Sequence, residues 1–437
     1  MTIAIILFLL ATVALAIFRR PKSDKEYLIL SRSVPALGVA AATFTLIGGG
    51  EFLTLTALSY AYGFWAITYF AGVVLGFIAL ALLSRKAREM AEAHDFHSLP
   101  DFLHFQYGKG VARLSTVINF FGLGALLVIQ FVVGGQIINA LSGIPIWAGA
   151  LLMCASVLLY LYFSGFKGVL ATDIFQAGVM IVTTAIVAWF AFDLAKSQGI
   201  NISTIAHTAP TFIETTIFFL LGLFAVLGSA DVWQRVFSSK NYVEAKKGLF
   251  LNSAGWLIFG VIFITLAVGI QALLPNADPN SAFIDFIGTG LPQTIQVILA
   301  FLILAAVIST ADVEMYVLSI LLSKEIKRGH TLETSSFVKI ALIGVAILTA
   351  IISIFAQNLV QIYFLLLYLV TALGPSVLAT LLGRGNRPTI YLAVVGSLAI
   401  LIYLAATNQL VGAMQLLLFV PGILPFLVAK TETKLAA

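Results

Sequence analysis

The chain alternates between long apolar runs and short segments rich in Lys, Arg, Pro or Gly. The runs have about 20 residues or more, enough for a helix to cross ~30 Å of hydrocarbon at ~1.5 Å per residue. This pattern predicts an all-α polytopic membrane protein with thirteen spanning helices. Their expected ranges are residues 2–18, 36–62, 64–83, 111–140, 146–163, 169–193, 215–237, 248–274, 292–322, 337–355, 360–382, 389–406 and 410–428.

The composition agrees with a membrane location. Of the 437 residues, 61% are hydrophobic and 10% are charged, whereas soluble domains have about 45–50% and about 25%. A soluble globular protein is therefore excluded. The single cysteine, Cys154, lies inside an apolar run, so the sequence offers neither a disulfide framework nor a thiolate metal site.

The positive charges predict how the helices are oriented. If the N-terminus lies outside and the helices alternate, 23 of the 24 Lys and Arg residues fall on the cytoplasmic side and only Lys196 falls outside. The positive-inside rule then places the C-terminus in the cytoplasm. We expect a multi-pass protein of the plasma or inner membrane. The same asymmetry accounts for the net charge of +5, so no nucleic-acid partner is expected.

We expect a single transmembrane domain over residues 1–437. The run at 2–18 is followed, not preceded, by arginines, which favours a retained helix over a secretory signal peptide. The longest polar stretch, residues 84–110, is predicted to be a cytoplasmic loop.

Glu51 is the first acid that interrupts an apolar span. It follows three glycines, 48–50, in the middle of the second predicted helix. Glycines cost a helix about 1 kcal/mol each, and a broken helix at this depth is tolerated only where it lines a cavity or protein. The pattern favours an unwound segment that binds an ion and a solute, with close helix packing on small residues as the alternative.

Asp231 repeats this pattern in the seventh predicted helix, where it follows Gly228, Ser229 and Ala230. Counted from the second helix, the two segments open two halves of five helices each. Because five is odd, the second half must run inverted, and paired interrupted helices indicate a transporter binding site. The alternative is that Asp231 pairs with Arg235, one turn away, at the membrane surface.

Two further spans carry acids. Asp173 lies a few residues inside its helix, where a solvated interfacial position is the alternative to a functional one. Asp312 borders a helix face that carries Ala306, Ser309 and Thr310. Two hydroxyls near a carboxylate suit a hard cation, which prefers oxygen ligands.

Signatures of other classes are weak. The sequence has no GxxxxGK[ST] loop, so an ATP-driven pump is not expected. The loop histidines His94, His97 and His104 lack a zinc-type spacing. They leave a membrane-embedded hydrolase as a remote alternative.

Four segments together resemble motifs of the sodium/solute symporter family. They are SLPDFLHFQYG at 98–108, TDIFQ at 172–176, GSADVWQRVFSSKNYVEAKK at 228–247 and AAVISTAD at 305–312. The segments occur in the family's order within about residues 30–330, and thirteen helices with an external N-terminus also fit that family.

The resemblance implies a LeuT-like fold of two inverted five-helix repeats. These would be residues 36–193 and 215–382, with one extra helix at 2–18 and two more at 389–428. It also implies a sodium site made by the carbonyls of Phe44, Ile47 and Ala306 and the hydroxyls of Ser309 and Thr310.

The resemblance further implies a second-ion or gating role for Asp173 and Asp312. Some members hold a second sodium with serines three and four positions after Ser309; here those positions are Asp312 and Val313, so that form of the site is not expected. The solute contacts it implies lie at the two helix breaks and on their walls, at Gly50, Glu51, Gly228, Ser229, Trp233, Gln130, Gln136 and Tyr363.

The resemblance also bears on the solute. Positions that contact sugar in sugar-carrying members correspond to Phe70 and Val73 here, and the helix at 248–274 has no lysine, so a sugar is disfavoured. Glu51 suggests either a cationic or amine-bearing solute or a proton carrier, since burial raises a carboxyl pKa.

We therefore predict Na⁺-coupled symport of a small organic solute, such as an amino acid, organic acid, vitamin or amine, by alternating access. The alternatives are a proton symporter that uses Glu51 and a membrane sensor without transport. Sensor members append a kinase domain, which is not expected in a sequence that ends at Ala437. The expected partners are the solute, Na⁺ as coupling ion and the lipid bilayer, with no catalytic residue, other cofactor or obligate protein partner.

Overall fold

The computed structural model describes residues 7, 9–14, 18, 20–46, 49–199, 209–279, 281–288, 292–326, 334–356, 367–410 and 412–429. Within these ranges the chain forms helices, loops and isolated bridges but no β-strand. Seven of the described helices are long and apolar enough to cross a membrane, and a pair bent by 50° would make an eighth span. The predicted all-α polytopic architecture is confirmed, while the number of thirteen helices stays a prediction.

In chain order, the first described helices are α1 (Asp24–Ile29), α2 (Ala36–Phe44), α3 (Gly49–Tyr62), α4 (Ile67–Leu83), α5 (Arg85–Ala93), α6 (Leu99–Tyr107), α7 (Lys109–Ser142) and α8 (Ile146–Ser197). They are followed by α9 (Phe212–Gly228), α10 (Ala230–Ser238), α11 (Tyr242–Leu273), α12 (Ala282–Gly288), α13 (Gln293–Ile326), α14 (Thr334–Phe355), α15 (Gly374–Leu381) and α16 (Arg387–Ala406). Residues 9–14, within the first predicted span, are also helical.

The long stretch α8 contains two predicted spans. Its 52 residues would measure about 78 Å as one helix, more than twice the ~30 Å of hydrocarbon. Gly165 interrupts it with φ 53° and ψ −147°, a conformation that only glycine adopts readily. Tyr27 also approaches so closely that a Cβ on Gly165 would lie 2.6 Å from its ring. The interruption falls between the predicted spans 146–163 and 169–193.

Both helices with small residues before an acid are interrupted. α2 ends at Phe44 and α3 begins at Gly49, with residues 47 and 48 outside the described part. In the second case, α9 ends at Gly228 and α10 begins at Ala230, and the extended Ser229 between them (φ −86°, ψ 124°) produces the 50° bend.

Glycines bring α9 close to α4. A Cβ on Gly72 would lie 2.1 Å from the carbonyl oxygen of Phe219, and one on Gly222 would lie 2.3 Å from that of Tyr69. Small residues allow this backbone contact between membrane helices. The segment before the second break is thereby packed firmly against its neighbour.

The last predicted helix is not a continuous α-helix in the structure. Residues 410–428 contain two 3₁₀ helices, Ala413–Phe419 and Pro421–Leu427, instead of one α-helix. Pro421 and Pro425 cause this difference, because proline has no N–H to donate and its ring clashes with the preceding turn of an α-helix.

Candidate ion and solute site

Ser309 and Thr310 lie next to each other in the middle of α13, and both are buried. The Ser309 hydroxyl donates to the carbonyl oxygen of Thr45 at 3.0 Å, and the Thr310 hydroxyl donates to the same oxygen at 3.1 Å. The Ser309 hydroxyl also lies 3.1 Å from the carbonyl oxygen of Ala306. Four oxygens from two helices therefore converge, which is the donor type that a hard cation prefers.

Thr45 brings the broken helix to this cluster. It is the C-cap of α2, with φ −72° and ψ 1°, and carbonyls at a helix end lack intrahelical partners. The sequence analysis missed Thr45 and assigned the carbonyls of Phe44 and Ile47. Phe44 is the last residue of α2 and Ile47 lies outside the described residues, so both ligands stay predictions.

Asp173 connects the cluster to α10. Its Oδ1 accepts a hydrogen bond from the Thr45 hydroxyl at 2.9 Å, and its Oδ2 lies 3.7 Å from Nη2 of Arg235. The Asp173 and Arg235 side chains are only 0% and 1% exposed, so the solvated position considered for Asp173 is wrong. The guanidinium of Arg235 also lies over the ring of Phe166 and donates to Oε1 of Gln234 at 3.0 Å.

Asp312 joins the two parts of α8. Its Oδ2 accepts hydrogen bonds from the Tyr160 hydroxyl and from the Thr172 hydroxyl, the latter at 3.3 Å. These partners lie on either side of the interruption at Gly165. Oδ1 of this fully buried residue has no hydrogen-bond partner among the described residues. Because Thr172 directly precedes Asp173 in the chain, Asp312 is a second buried acid close to Asp173.

Asn119 of α7 bridges the second helix break, and sequence analysis also missed it. Its Nδ2 donates to the carbonyl oxygen of Gly228 at 3.3 Å, and its Oδ1 accepts from the backbone N–H of Ala230 at 2.8 Å. The side chain is fully buried. One amide thus satisfies a carbonyl and an N–H that the break releases, as buried backbone groups require.

Asp231 caps the start of α10. Its carboxylate accepts hydrogen bonds from the Ser229 hydroxyl and from the backbone N–H of Val232, the latter at 2.7 Å. An acid in the first turn is favoured by the helix dipole. Arg235 reaches only the backbone carbonyl of Asp231, at 3.5 Å, and forms its ion pair with Asp173, so the considered Asp231–Arg235 ion pair is wrong.

The Asn119 bridge leads to a stability prediction. Asn119→Leu is expected to lower the free energy of unfolding by about 1–3 kcal/mol for each backbone group left unsatisfied. Thermal unfolding of the purified protein in detergent measures the change. Asn139→Leu is the control on the same helix, because Asn139 makes a single described hydrogen bond, to the carbonyl oxygen of Ile144 at the helix end. Equal shifts for the two variants would contradict a special role for the bridge.

Trp233 does not offer its polar group to a solute in this conformation, because that group is bonded within the protein. Its ring is fully buried and stacks on Phe102 with 5.5 Å between ring centroids, and it also packs on Phe237. Its indole N–H donates to the carbonyl oxygen of Leu227 at 2.9 Å. In this conformation Trp233 supports the helix break.

The remaining predicted solute contacts are only partly described. Gln130 is buried on α7 and Gln136 is half-buried on the same helix. Gly50 and Glu51 lie in the first turn of α3, but the Glu51 side chain and all of Tyr363 lie outside the described residues. Their roles therefore stay predictions.

Phe70 and Val73, the two positions from which the sequence argument against a sugar was drawn, are buried in apolar packing. A Cβ on Gly260 of α11 would lie 2.7 Å from the Phe70 ring. Val73 lies against Gly222 of α9. This face of α4 therefore presents no polar group at either position.

Arg32 holds the C-terminal end of α10. The helices α5 and α6 lie at this same end of the molecule, which we term the α5–α6 end. The Arg32 guanidinium donates to the carbonyl oxygen of Phe237 at 2.8 Å and to the carboxylate of Asp95 at 2.9 Å. A hydrogen bond from His97, together with Arg32, lowers the pKa of Asp95 despite partial burial. The Arg32–Asp95 pair is therefore charged at neutral pH.

A second buried arginine, Arg88 of α5, makes further contacts just after the same end of α10. Its guanidinium donates to the Ser239 hydroxyl at 3.1 Å and to the carbonyl oxygen of Lys240 at 3.2 Å. Beside it, the backbone of Val34 pairs with Ser238 at 3.2 Å and with Lys240 at 2.8 Å. In this conformation α10 is firmly attached at the α5–α6 end.

Two interrupted helices, a cluster of hydroxyl and carbonyl oxygens at the end of one of them and buried acids between the spans are features typical of the inverted-repeat class of membrane proteins. Residues 27–383 match the sequence profile of the Sodium:solute symporter family. The chain belongs to this family.

Curated relatives are distant. The sodium/pantothenate symporter of Escherichia coli is 24% identical over 57% of this chain and 55% of its own length. The sodium/proline symporter 2 of Staphylococcus saprophyticus is 26% identical over 69% of this chain and 62% of its own length. The matched part of the chain thus spans little more than half of these relatives.

Solved structures share the fold. A Na⁺-coupled sialic acid symporter in a substrate-bound outward-open state aligns with a TM-score of 0.76 at 16% identity, over 98% of this chain and 97% of that one. MhsT in complex with L-phenylalanine aligns with a TM-score of 0.60 at 13% identity, over 90% and 97%. The predicted LeuT-like fold is confirmed.

Proposed function

We propose that this protein carries a small organic solute together with Na⁺ by alternating access. The main support is that the Ser309 and Thr310 hydroxyls both reach the carbonyl oxygen of Thr45. In the proposal, Na⁺ replaces these two hydrogen bonds, because each hydroxyl can rotate its proton away and offer a lone pair. The carbonyls of Phe44, Ile47 and Ala306 complete the predicted ligand set.

Thr45 gives the ion a connection to the second broken helix. Its carbonyl faces the proposed ion, while its hydroxyl holds Asp173, which in turn faces Arg235. A bound ion would hold Thr45 in place and keep this chain of contacts intact. Because a ligand shifts a conformational equilibrium only by its differential affinity, Na⁺ would favour the arrangement in which α2, α10 and α13 meet.

Asp173 and Asp312 are proposed as a second ion or gating pair. Both carboxylates are fully buried, and buried acids in membrane spans mark ion or proton pathways. Oδ1 of Asp312 lacks a described partner, so it is free to receive a cation or a proton.

The solute is proposed to bind at the two helix breaks. Gly50 and Glu51 begin α3, and Gly228 and Ser229 separate α9 from α10. Gln130 and Tyr363 are proposed walls, and Trp233 is a proposed contact only if its ring leaves the present stack. Relatives named for pantothenate and proline support an amino acid, organic acid, vitamin or amine, and the apolar packing of Phe70 and Val73 argues against a sugar.

The proposed orientation follows the positive charges. The α5–α6 end would face the cytoplasm of a cell, with the N-terminus outside and residues 36–193 and 215–382 as the two repeats. The contacts that Arg32 and Arg88 make at this end would then close the path from the cytoplasm to the solute site in this conformation.

Transport with purified protein in liposomes tests the function. A thermal-shift screen of amino acids, organic acids, vitamins and amines, each with Na⁺ or K⁺, would first identify a solute. We expect accumulation of that solute under an inward Na⁺ gradient and none when K⁺ replaces Na⁺. An inside-negative potential should increase it, because one charge gains ~2.3 kcal/mol per 100 mV.

Two other outcomes would contradict Na⁺ coupling. Uptake driven by a pH gradient without Na⁺, and lost in Glu51→Gln, would establish a proton symporter. Saturable solute binding without accumulation under any gradient would favour a sensor.

A further inference from the structure

A separate cavity lies at the α5–α6 end. Its volume is about 440 Å³, and it lies between α6, the start of α7 and the end of α13. Its charged and titratable lining consists of Asp101, His104, Lys109, Arg113 and Lys324. Lys324 is fourteen residues after Thr310 on α13, about 21 Å along the helix, so this cavity is distinct from the ion site.

The cavity has a surplus of positive charge. Asp101 is already occupied, because its carboxylate accepts from the Lys324 ammonium and from the backbone N–H of His97. Burial raises the pKa of Asp101, but Lys324 and these hydrogen bonds outweigh burial and lower it overall. Lys109 and Arg113 form no ion pair with any residue in the described ranges. Two unneutralised cations therefore remain, next to the positive end of the α7 dipole.

The length of α7 indicates that the cavity lies at the depth of lipid headgroups. The span Lys109–Ala140 has 32 residues, about 48 Å, whereas the hydrocarbon core is ~30 Å thick and the bilayer with headgroups ~40–45 Å. The first four to six residues of the span should therefore lie among the headgroups. Tyr391 of α16 lies beside Gly110 at this level, and tyrosine is enriched at membrane interfaces.

An apolar surface continues from the cavity toward the membrane centre. Val117 and Phe121 follow Arg113 by one and two helical turns on α7. They are 51% and 61% exposed, respectively, although both are large and hydrophobic. A molecule with a charged head and an apolar tail could therefore occupy the cavity and this surface together.

We propose that the cavity binds the phosphate headgroup of an anionic phospholipid whose acyl chain lies along Val117 and Phe121. Basic pockets between membrane helices recognise such headgroups. A free phosphate shares the headgroup chemistry, but only a lipid also covers the apolar surface. The lipid would connect α7 with the Lys324 end of α13. This inference does not depend on the transported solute or on Na⁺ coupling.

Lipid titration of the delipidated full chain in detergent tests the proposal. Dioleoyl phosphatidylglycerol is expected to raise the thermal unfolding midpoint, whereas dioleoyl phosphatidylcholine should raise it much less. In Lys109→Gln/Arg113→Gln, the phosphatidylglycerol concentration for half the shift should increase about thirty-fold. Each basic residue near the membrane surface strengthens the binding of an anionic lipid about five-fold, and this variant removes two of them. The matched control Lys86→Gln/Lys247→Gln removes two exposed charges from the same end, outside the cavity, and should behave like the unmodified protein.

The other results would overturn the proposal. Equal shifts with both lipids would show that charge is not recognised, and equal titrations of the cavity and control variants would show that the site lies elsewhere. Inorganic phosphate or glycerol 3-phosphate that stabilises as well as the lipid would make the cavity a soluble-anion site. If the double variant unfolds without lipid at a clearly lower temperature, Lys109→Gln alone replaces it, with an expected change of about five-fold.

Discussion

Thr310→Ala is expected to raise the Na⁺ concentration needed for half-maximal stabilisation by about 5- to 150-fold. The Thr310 hydroxyl is one of the proposed side-chain ligands, and it is buried against the Thr45 carbonyl. Loss of one buried polar partner costs about 1–3 kcal/mol, and 1.4 kcal/mol corresponds to a factor of ten in affinity. The unfolding midpoint should be followed against NaCl, with KCl keeping the total salt constant, because an ion that binds only the folded state raises it.

Two variants control this experiment. Thr310→Ser keeps the hydroxyl and should retain most of the Na⁺ response. Thr349→Ala removes a buried hydroxyl of α14 whose described hydrogen bonds stay within its own helix, to the carbonyl oxygens of Val345 and Ala346. An identical Na⁺ response for Thr310→Ala and Thr349→Ala would remove Thr310 from the ion site.

The helix breaks could be predicted because their causes are local. Runs of small residues before Glu51 and Asp231 lower helix propensity, and each lies inside an apolar run long enough to reveal the interruption. Ser309 and Thr310 could also be predicted as site residues from the sequence, because two adjacent hydroxyls in a membrane span need polar partners. These features require no knowledge of which helices meet.

The partners of these residues could not be predicted, because they arise from tertiary packing. Thr45 meets Ser309 across 264 positions of the chain, and nothing near Thr45 indicates that contact. Asn119 appears in sequence as one polar residue in an apolar run, and only the packing of the α9–α10 break against α7 shows what it bridges. Trp233 was assigned to the solute through the family resemblance, whereas its stacking on Phe102 depends on how the 98–108 motif packs in the folded chain.

The ion pair between Asp173 and Arg235 should have the largest effect on stability. Asp173→Asn keeps an acceptor for the Thr45 hydroxyl but leaves the Arg235 charge buried without its partner. Removing one member of a buried pair costs about 3–5 kcal/mol, so we expect a loss of that size in the free energy of unfolding. Arg235→Met should cost a similar amount, because it leaves the Asp173 carboxylate buried.

The double variant Asp173→Asn/Arg235→Met distinguishes an ion pair from two independent effects. Replacing both charges removes the uncompensated one, so its loss of stability should be smaller than the sum of the single losses by about 0.5–3 kcal/mol. Unfolding in mixed detergent micelles measures all three variants. The Arg85–Glu89 pair of α5, with side chains 69% and 57% exposed, is the matched surface control and should change little. Strictly additive losses would show that Asp173 and Arg235 act separately, and the proposed connection from the Thr45 carbonyl to α10 would then be wrong.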